Sequence, residues 1–281
     1  MSRRIGGHVS VAGGIVNAIK NTQEINGNCM QIFVGSPRVW ARDIYPPDQI
    51  KEFNQKADEL NLRPVFIHAL YLVNLASDKK ELVEKSTQAL LTDMKNGDAI
   101  NSEGVIVHIG SHQGRGFDSV QDQLVTQIEF LLSNTQKVPF VIENSAGQKG
   151  KVGSIDQIAV LIKKVNDPRL KVCLDTAHLF AAGWDLRQEN VVDDLVSKLK
   201  DLSLLDKLAC LHINDSKGEL DSAVDQHANI GEGEIGKKGL SNLINHPDLK
   251  DLPLILEVPG FTGSGPDAEN IKITQEITRN E

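Results

Sequence analysis

Eight short apolar runs recur along the 281-residue chain, at 4–8, 30–34, 64–68, 104–108, 139–143, 170–175, 208–213 and 253–258. Runs such as VIVH, FVIE, VCLD and LILE are apolar without alternation. Parallel strands look like this when helices cover one face of the sheet and a packed core fills the other. Between the runs lie longer amphipathic segments. In 117–133, Val120, Leu124, Ile128 and Leu131 follow helical spacing, and in 154–165 so do Ile155, Ile158, Leu161, Ile162 and Val165. Ser77 with Asp78, and Ser154, stand where helix N-caps belong. There is no low-complexity stretch, charge block or interdomain linker. Eight such units in this length predict an α/β fold, a single (β/α)8 TIM barrel spanning 1–281 as one catalytic domain.

Barrel enzymes place their chemistry at the carboxyl ends of the strands. Here strand three ends in His68, four in His108, five in Glu143, six in Asp175, seven in His212 and eight in Glu257. Only eight histidines occur in the chain, so three of them on six consecutive strand ends is not chance scatter. Two more sit in adjoining loops: His178, three residues past Asp175 in CLDTAH, and His227, two past Asp225 in AVDQH. The second spacing puts both side chains on one side of an extended segment.

These nine imidazole and carboxylate donors exceed the needs of one metal ion. They suit zinc, manganese or iron better than magnesium or calcium, and no cysteine ligand is implied. Glu143 at the centre could bridge two ions. Three divalent ions would move the formal charge from −8 to −2 and make the mouth the positive part of an acidic protein. His8, ending strand one, is placed to hydrogen-bond a ligand carboxylate, His112 reads as a loop or supporting residue, and His246 as a surface residue.

A charge of −8 argues against broad basic nucleic-acid binding, and 4% aromatic content against an extended base-stacking platform. Cys29, Cys173 and Cys210 lack CxxC spacing and read as buried thiols. Gly231, Gly233 and Gly236 match a dinucleotide-binding pattern but follow the Asp225/His227 loop, so they read as loop-turning glycines. Arg3 and Arg4 are not followed by an apolar leader, and no run approaches the ~18 apolar residues of a membrane span. The expectation is a soluble, cytoplasmic protein with no membrane association.

The ordered motifs HVSVAGG, HALYLVN, HIGSH, IENSAGQ, CLDTAH, FAAGWDLR, LHINDSK, VDQHANIGEGEIG and LILEVPG resemble the endonuclease IV family of abasic-site endonucleases along nearly the whole chain. The resemblance implies three Zn2+ per chain, with Mn2+ or Fe2+ acceptable at some sites. Carried over by position, one ion would be held by His68, His108 and Glu143, a second by Glu143, Asp175, His212 and Glu257, and a third by His178, Asp225 and His227. It implies a hydrolase of base excision repair, with Glu143 and Glu257 positioning the attacking hydroxide. The phosphodiester 5′ to an abasic site in double-stranded DNA would be cut, leaving a 3′-hydroxyl and a 5′-deoxyribose phosphate, with 3′-end trimming as a second activity. Arg38, Tyr71 and Leu72 match the DNA-inserting positions, and the family suggests a monomer.

Two positions depart from the family pattern: Gln226 stands where a phosphate-contacting arginine is usual, and Ala69 where a polar residue occurs. Both bear on DNA affinity rather than on the ligand set. The main rival is a metal-dependent sugar isomerase or epimerase on the same barrel, which has no need of His178, Asp225 and His227 together. A non-catalytic binder of damaged DNA is the third reading, opposed by the complete ligand set.

Overall fold

The computed structural model describes residues 3–278, so the expected extent 1–281 runs past it at both ends. Eight parallel strands close into a barrel: β1 (Ile5–His8), β2 (Met30–Phe33), β3 (Val65–His68), β4 (Gly104–Val107), β5 (Phe140–Glu143), β6 (Leu170–Asp175), β7 (Leu208–His212) and, after a β8–β9 hairpin (Asp215–Ser216, His227–Ala228), β10 (Leu254–Leu256). The barrel order is β1-β10-β7-β6-β5-β4-β3-β2, each strand hydrogen-bonded to its neighbours. Around it run α1 (Asn17–Glu24), α2 (Pro47–Glu59), α3 (Lys80–Ile100), α4 (Gln121–Ser133), α5 (Ile155–Val165), α6 (Thr176–Ala181), α7 (Glu189–Asp201), α8 (Gly236–Ile244) and α9 (Ala268–Ile277). The predicted (β/α)8 barrel is therefore the fold.

Every expected strand is present, most of them trimmed by one or two residues, so that His108 and Glu257 stand just past β4 and β10. Two helix starts differ. α4 opens at Gln121 because 118–120 form a turn, and α3 opens at Lys80, beyond the expected cap at Ser77 and Asp78. The Ser77 hydroxyl instead accepts the Lys79 N–H, closing a turn ahead of the helix. Ser154 does cap α5: its hydroxyl accepts the Gln157 N–H, and the Gln157 side chain reaches back to the Ser154 N–H.

Strand side chains alternate between the helix layer and the barrel interior. Inside, Cys29, Phe66, Ile106, Val141, Cys173, Cys210 and Ile255 pack into one fully buried layer, which accounts for all three cysteines as inert thiols. Burial pushes the Cys173 thiol well above its ordinary value. Strand β1 contributes Gly6, where an added Cβ would meet the Cys29 carbonyl oxygen at 1.8 Å. Two residues along each strand comes the next inward position. There stand His8, Gln31, His68, His108, Glu143, Asp175, His212 and Glu257. The period of two thus lays a polar layer directly on an apolar one.

Candidate active site

Glu143, fully buried, is the centre of the polar layer. Its Oε2 lies 3.2 Å from His68 Nε2 and 3.3 Å from His108 Nε2, and its Oε1 lies 3.1 Å from His212 Nδ1 and 3.3 Å from His178 Nδ1. His212 Nδ1 is also 3.2 Å from Glu257 Oε2 and 3.9 Å from Asp175 Oδ2. His178 Nε2 reaches Asp225 Oδ1 at 2.9 Å, and His227 Nε2 stands 3.7 Å from both Asp175 Oδ2 and Asp225 Oδ1. All nine donors expected from the sequence come together. Exposure rises outward from the fully buried Asp175 and His212 to His227 at 18% and Asp225 at 43%.

Three groups of these donors have ligand atoms within 4.8 Å of one another: His68, His108 and Glu143; Glu143, Asp175, His212 and Glu257; and Asp175, His178 and His227. The third group takes in Asp175, with Asp225 flanking it across His178. Separations of 3.1–3.9 Å bracket the roughly 3.3 Å edge of a tetrahedron with zinc-length N and O bonds. His227 Nε2 is buried without a hydrogen-bond partner in the protein while facing two carboxylates, as a nitrogen shaped for a cation would be. The donor set fits divalent metal. A fourth group, Cys173 and Cys210 with His212, lies in and just above the apolar layer.

The imidazoles are oriented by neutral acceptors on their other nitrogens. His68 Nδ1–H donates to its neighbour's carbonyl, Ala69 O, at 2.7 Å, so the Ala69 substitution leaves this support intact. His178 Nδ1–H donates to Asn144 O at 3.1 Å, and His212 Nε2–H donates to Gln31 Oε1 at 2.8 Å. Metal-bound histidines are held in this way, which fixes tautomer and ring plane. Burial pushes the Glu143 carboxyl up, but His108, His212 and His178 outweigh it and hold the group well below the usual range. Glu257 is held low in the same manner, chiefly by His212 against its burial. Burial pulls His178 and His212 down, yet the surrounding Asp175, Asp225, Glu143 and Glu257 carboxylates raise both well above their ordinary value. His108, more weakly paired, is driven by burial down to about 4.

Residues not singled out from the sequence complete the site. Gln31 bridges His212 and Glu257. Asn214 donates to Asp175 Oδ2 at 2.6 Å and accepts the Glu257 N–H at 2.7 Å. Asp215 collects the N–H groups of Gly231, Gly233, Ile235 and Gly236, which folds the loop after His227 and starts α8. A Cβ on Gly233 would lie 2.5 Å from Asp215 Oδ1, so the glycines serve as turning points and not as a dinucleotide cradle. Gln31 leaves one faint mark in the sequence: it is a polar residue in an otherwise apolar run, two residues after Cys29.

His8 Nδ1 sits 3.4 Å from Glu257 Oε1, matching its expected supporting place. His112 Nδ1 accepts the Gly116 N–H within its own loop, away from the donors. His246 differs from expectation: its side chain is only 14% exposed, lodged between Asp193 and Asp248. At the rim, Tyr71 and Leu72 are 64% and 38% exposed on the loop after β3, and Arg38 is exposed on the loop after β2. The Tyr71 N–H donates to Pro37 O, which ties the two loops together. Gln226 is exposed beside Asp225.

The family model described as a xylose isomerase-like TIM barrel matches residues 19–280. That breadth leaves nucleases and isomerases alike in play. A probable endonuclease 4 of Halothermothrix orenii is 41% identical over 273 residues, covering 96% of this chain and 98% of the relative. The chain belongs to the endonuclease IV family. Endonuclease IV from Thermus thermophilus superposes with a TM-score of 0.86 at 33% identity, covering 98% of both chains. A D-tagatose 3-epimerase-like protein superposes at 0.71 with 17% identity, a likeness of fold alone. As an endonuclease IV family member, the chain is an enzyme whose barrel it shares with sugar epimerases. Among the described residues no helix is long and apolar enough to cross a membrane.

Proposed function

We propose that this enzyme hydrolyses the phosphodiester 5′ to abasic sites in double-stranded DNA, leaving a 3′-hydroxyl and a 5′-deoxyribose phosphate, with three zinc ions bound by the nine donors as one domain and one chain. Trimming of blocked 3′ ends follows from the same chemistry on a terminal phosphoester. The observation that carries the reading is the third donor group, Asp175, His178 and His227 with Asp225 beside it, beyond the one or two ions that sugar isomerisation needs. Bound divalent ions would lower the pKa of a coordinated water toward neutrality and neutralise charge on the phosphoryl oxygens.

The protein groups divide the remaining work. Glu143, in contact with four imidazoles, holds the donor groups in one frame, while Glu257, at the outer edge and 16% exposed, faces the reacting phosphate and orients the attacking water. The buried polar layer admits substrate from the mouth only. A missing base makes the duplex cheapest to open at the lesion, and Tyr71 and Leu72 are already exposed where they would fill the gap, with Arg38 beside them for a phosphate. With Gln226 in place of arginine, phosphate attraction falls to the ions and to Arg38, giving a shallow dependence of affinity on salt.

The test is incubation of purified protein with a duplex carrying one tetrahydrofuran abasic analogue, with metal content measured in parallel. Nicking on the 5′ side at full occupancy is expected, and its absence would overturn the reading. Tyr71→Ala should raise KM by about tenfold or more with kcat and metal content little changed, which steady-state kinetics and elemental analysis check together. Acid should strip the site. Because their carboxylate neighbours raise His178 and His212, protons compete with metal there, so metal affinity should climb from pH 5.5 to 8 in a competitive chelator titration.

A further inference from the structure

Gln31 is fully buried on β2, with no apolar reason to be there. Its Oε1 lies 2.8 Å from His212 Nε2 on β7, its Nε2 lies 2.5 Å from Glu257 Oε1 just past β10, and the same Nε2 lies 2.9 Å from His8 Nδ1 on β1. The orientation of the amide is dictated by its partners. A carboxylate only accepts, so the NH2 faces Glu257; the oxygen that remains takes the His212 Nε2–H. That bond leaves the lone pair of His212 on Nδ1, the nitrogen that faces Glu143 and Glu257.

We propose that Gln31 is a positioning residue for the metal site: one amide fixes the tautomer of His212 and the rotamer of Glu257, so that two ligands from different strands point at the same divalent ion. This rests on the reading of the donor cluster as a metal site. Apolar residues of similar volume would fill the space without selecting either geometry, and His212 would then be free to present Nδ1–H to the ion. Supporting hydrogen bonds of this kind are worth about 10- to 100-fold in metal affinity. The loss should be local, because His68 and His178 take their supporting bonds from the Ala69 and Asn144 carbonyls, away from Gln31.

The experiment uses the full chain stripped of metal and titrated with Zn2+ against a chromophoric chelator, wild type beside Gln31→Met, a substitution of similar volume. Wild type should bind its full complement. Gln31→Met should bind one ion about 10- to 100-fold more weakly and the others as wild type does, with an altered d–d spectrum after Co2+ loading. Equal affinities in the two proteins would overturn the role of Gln31 alone, whereas a wild type that binds no ion would overturn the metal reading beneath it. A second measurement needs no variant: long-range 1H–15N spectra of the metal-loaded wild type should show His212 protonated on Nε2, and protonation on Nδ1 would overturn the proposal even where Gln31→Met fails to fold.

Discussion

Glu143→Gln should cut nicking of a tetrahydrofuran-containing duplex by about 10³-fold or more, the rate equivalent of roughly 4 kcal/mol of lost transition-state stabilisation. The carboxylate is within 3.3 Å of His68, His108, His178 and His212, and two of the three donor groups are joined through it. Gln is the same size but carries no charge and turns one oxygen into a donor, which would hydrogen-bond the lone pairs that His68, His108 and His212 offer to metal. Binding of at least one ion should fail along with activity. The fold should persist, since the apolar layer beneath is untouched and Gln fills the same volume. Elemental analysis and a thermal melt accompany the assay. Near-wild-type nicking with full metal content would remove Glu143 from the centre of the mechanism.

Asp93→Ala should destabilise the protein by about 3 to 5 kcal/mol, the cost of leaving a buried charge without its counter-ion. Asp93 on α3 stands 3.5 Å from Arg42, on the loop that carries Arg38, with 0% and 2% of the two side chains exposed. Neither guanidinium nor carboxylate has a further hydrogen-bond partner in the protein. Burial pushes Asp93 up to about 7 despite Arg42, a sign that desolvation outweighs the attraction. Replacing both, as Arg42→Met with Asp93→Leu, should therefore recover most of the lost stability. Urea midpoints for the single and double variants decide it, and a double variant as unstable as Asp93→Ala would refute the account. Asn96 holds the same loop by accepting the Tyr45 N–H and donating to Asp43 O, so Arg38 is offered from a braced loop.

The fold was legible because its signals are local and repeated. Apolar runs without alternation mark strands covered on both faces, and VIVH, FVIE, VCLD and LILE each end within a residue of a barrel strand. The donors were legible on the same local grounds: an imidazole or carboxylate that closes an apolar run is costly to bury unless something binds it, and six strands in succession bear that cost. Gln31 was nearly silent because an amide on a strand carries no charge and matches no motif, and its meaning comes only when the barrel closes and sets β2 opposite β7 and β10. Arg42 and Asp93, 51 positions apart in sequence, are ordinary surface residue types until α3 folds over the loop. Ser77 misled because a hydroxyl ahead of a helix serves a turn as readily as a cap, and His246 because its cover comes from α7.

The apolar layer of Cys29, Phe66, Ile106, Val141, Cys173, Cys210 and Ile255 is also a floor of buried side chains beneath the donors. A cavity of about 480 Å³, lined by Arg4, Arg63 and Lys171 among others, lies on the far side of it, at the opposite end of the barrel from the donors. Exchange between the site and bulk solvent is therefore one-ended. If a duplex lies across the mouth, as the proposed function requires, it covers the remaining opening, and the water consumed in hydrolysis would be in place before the DNA.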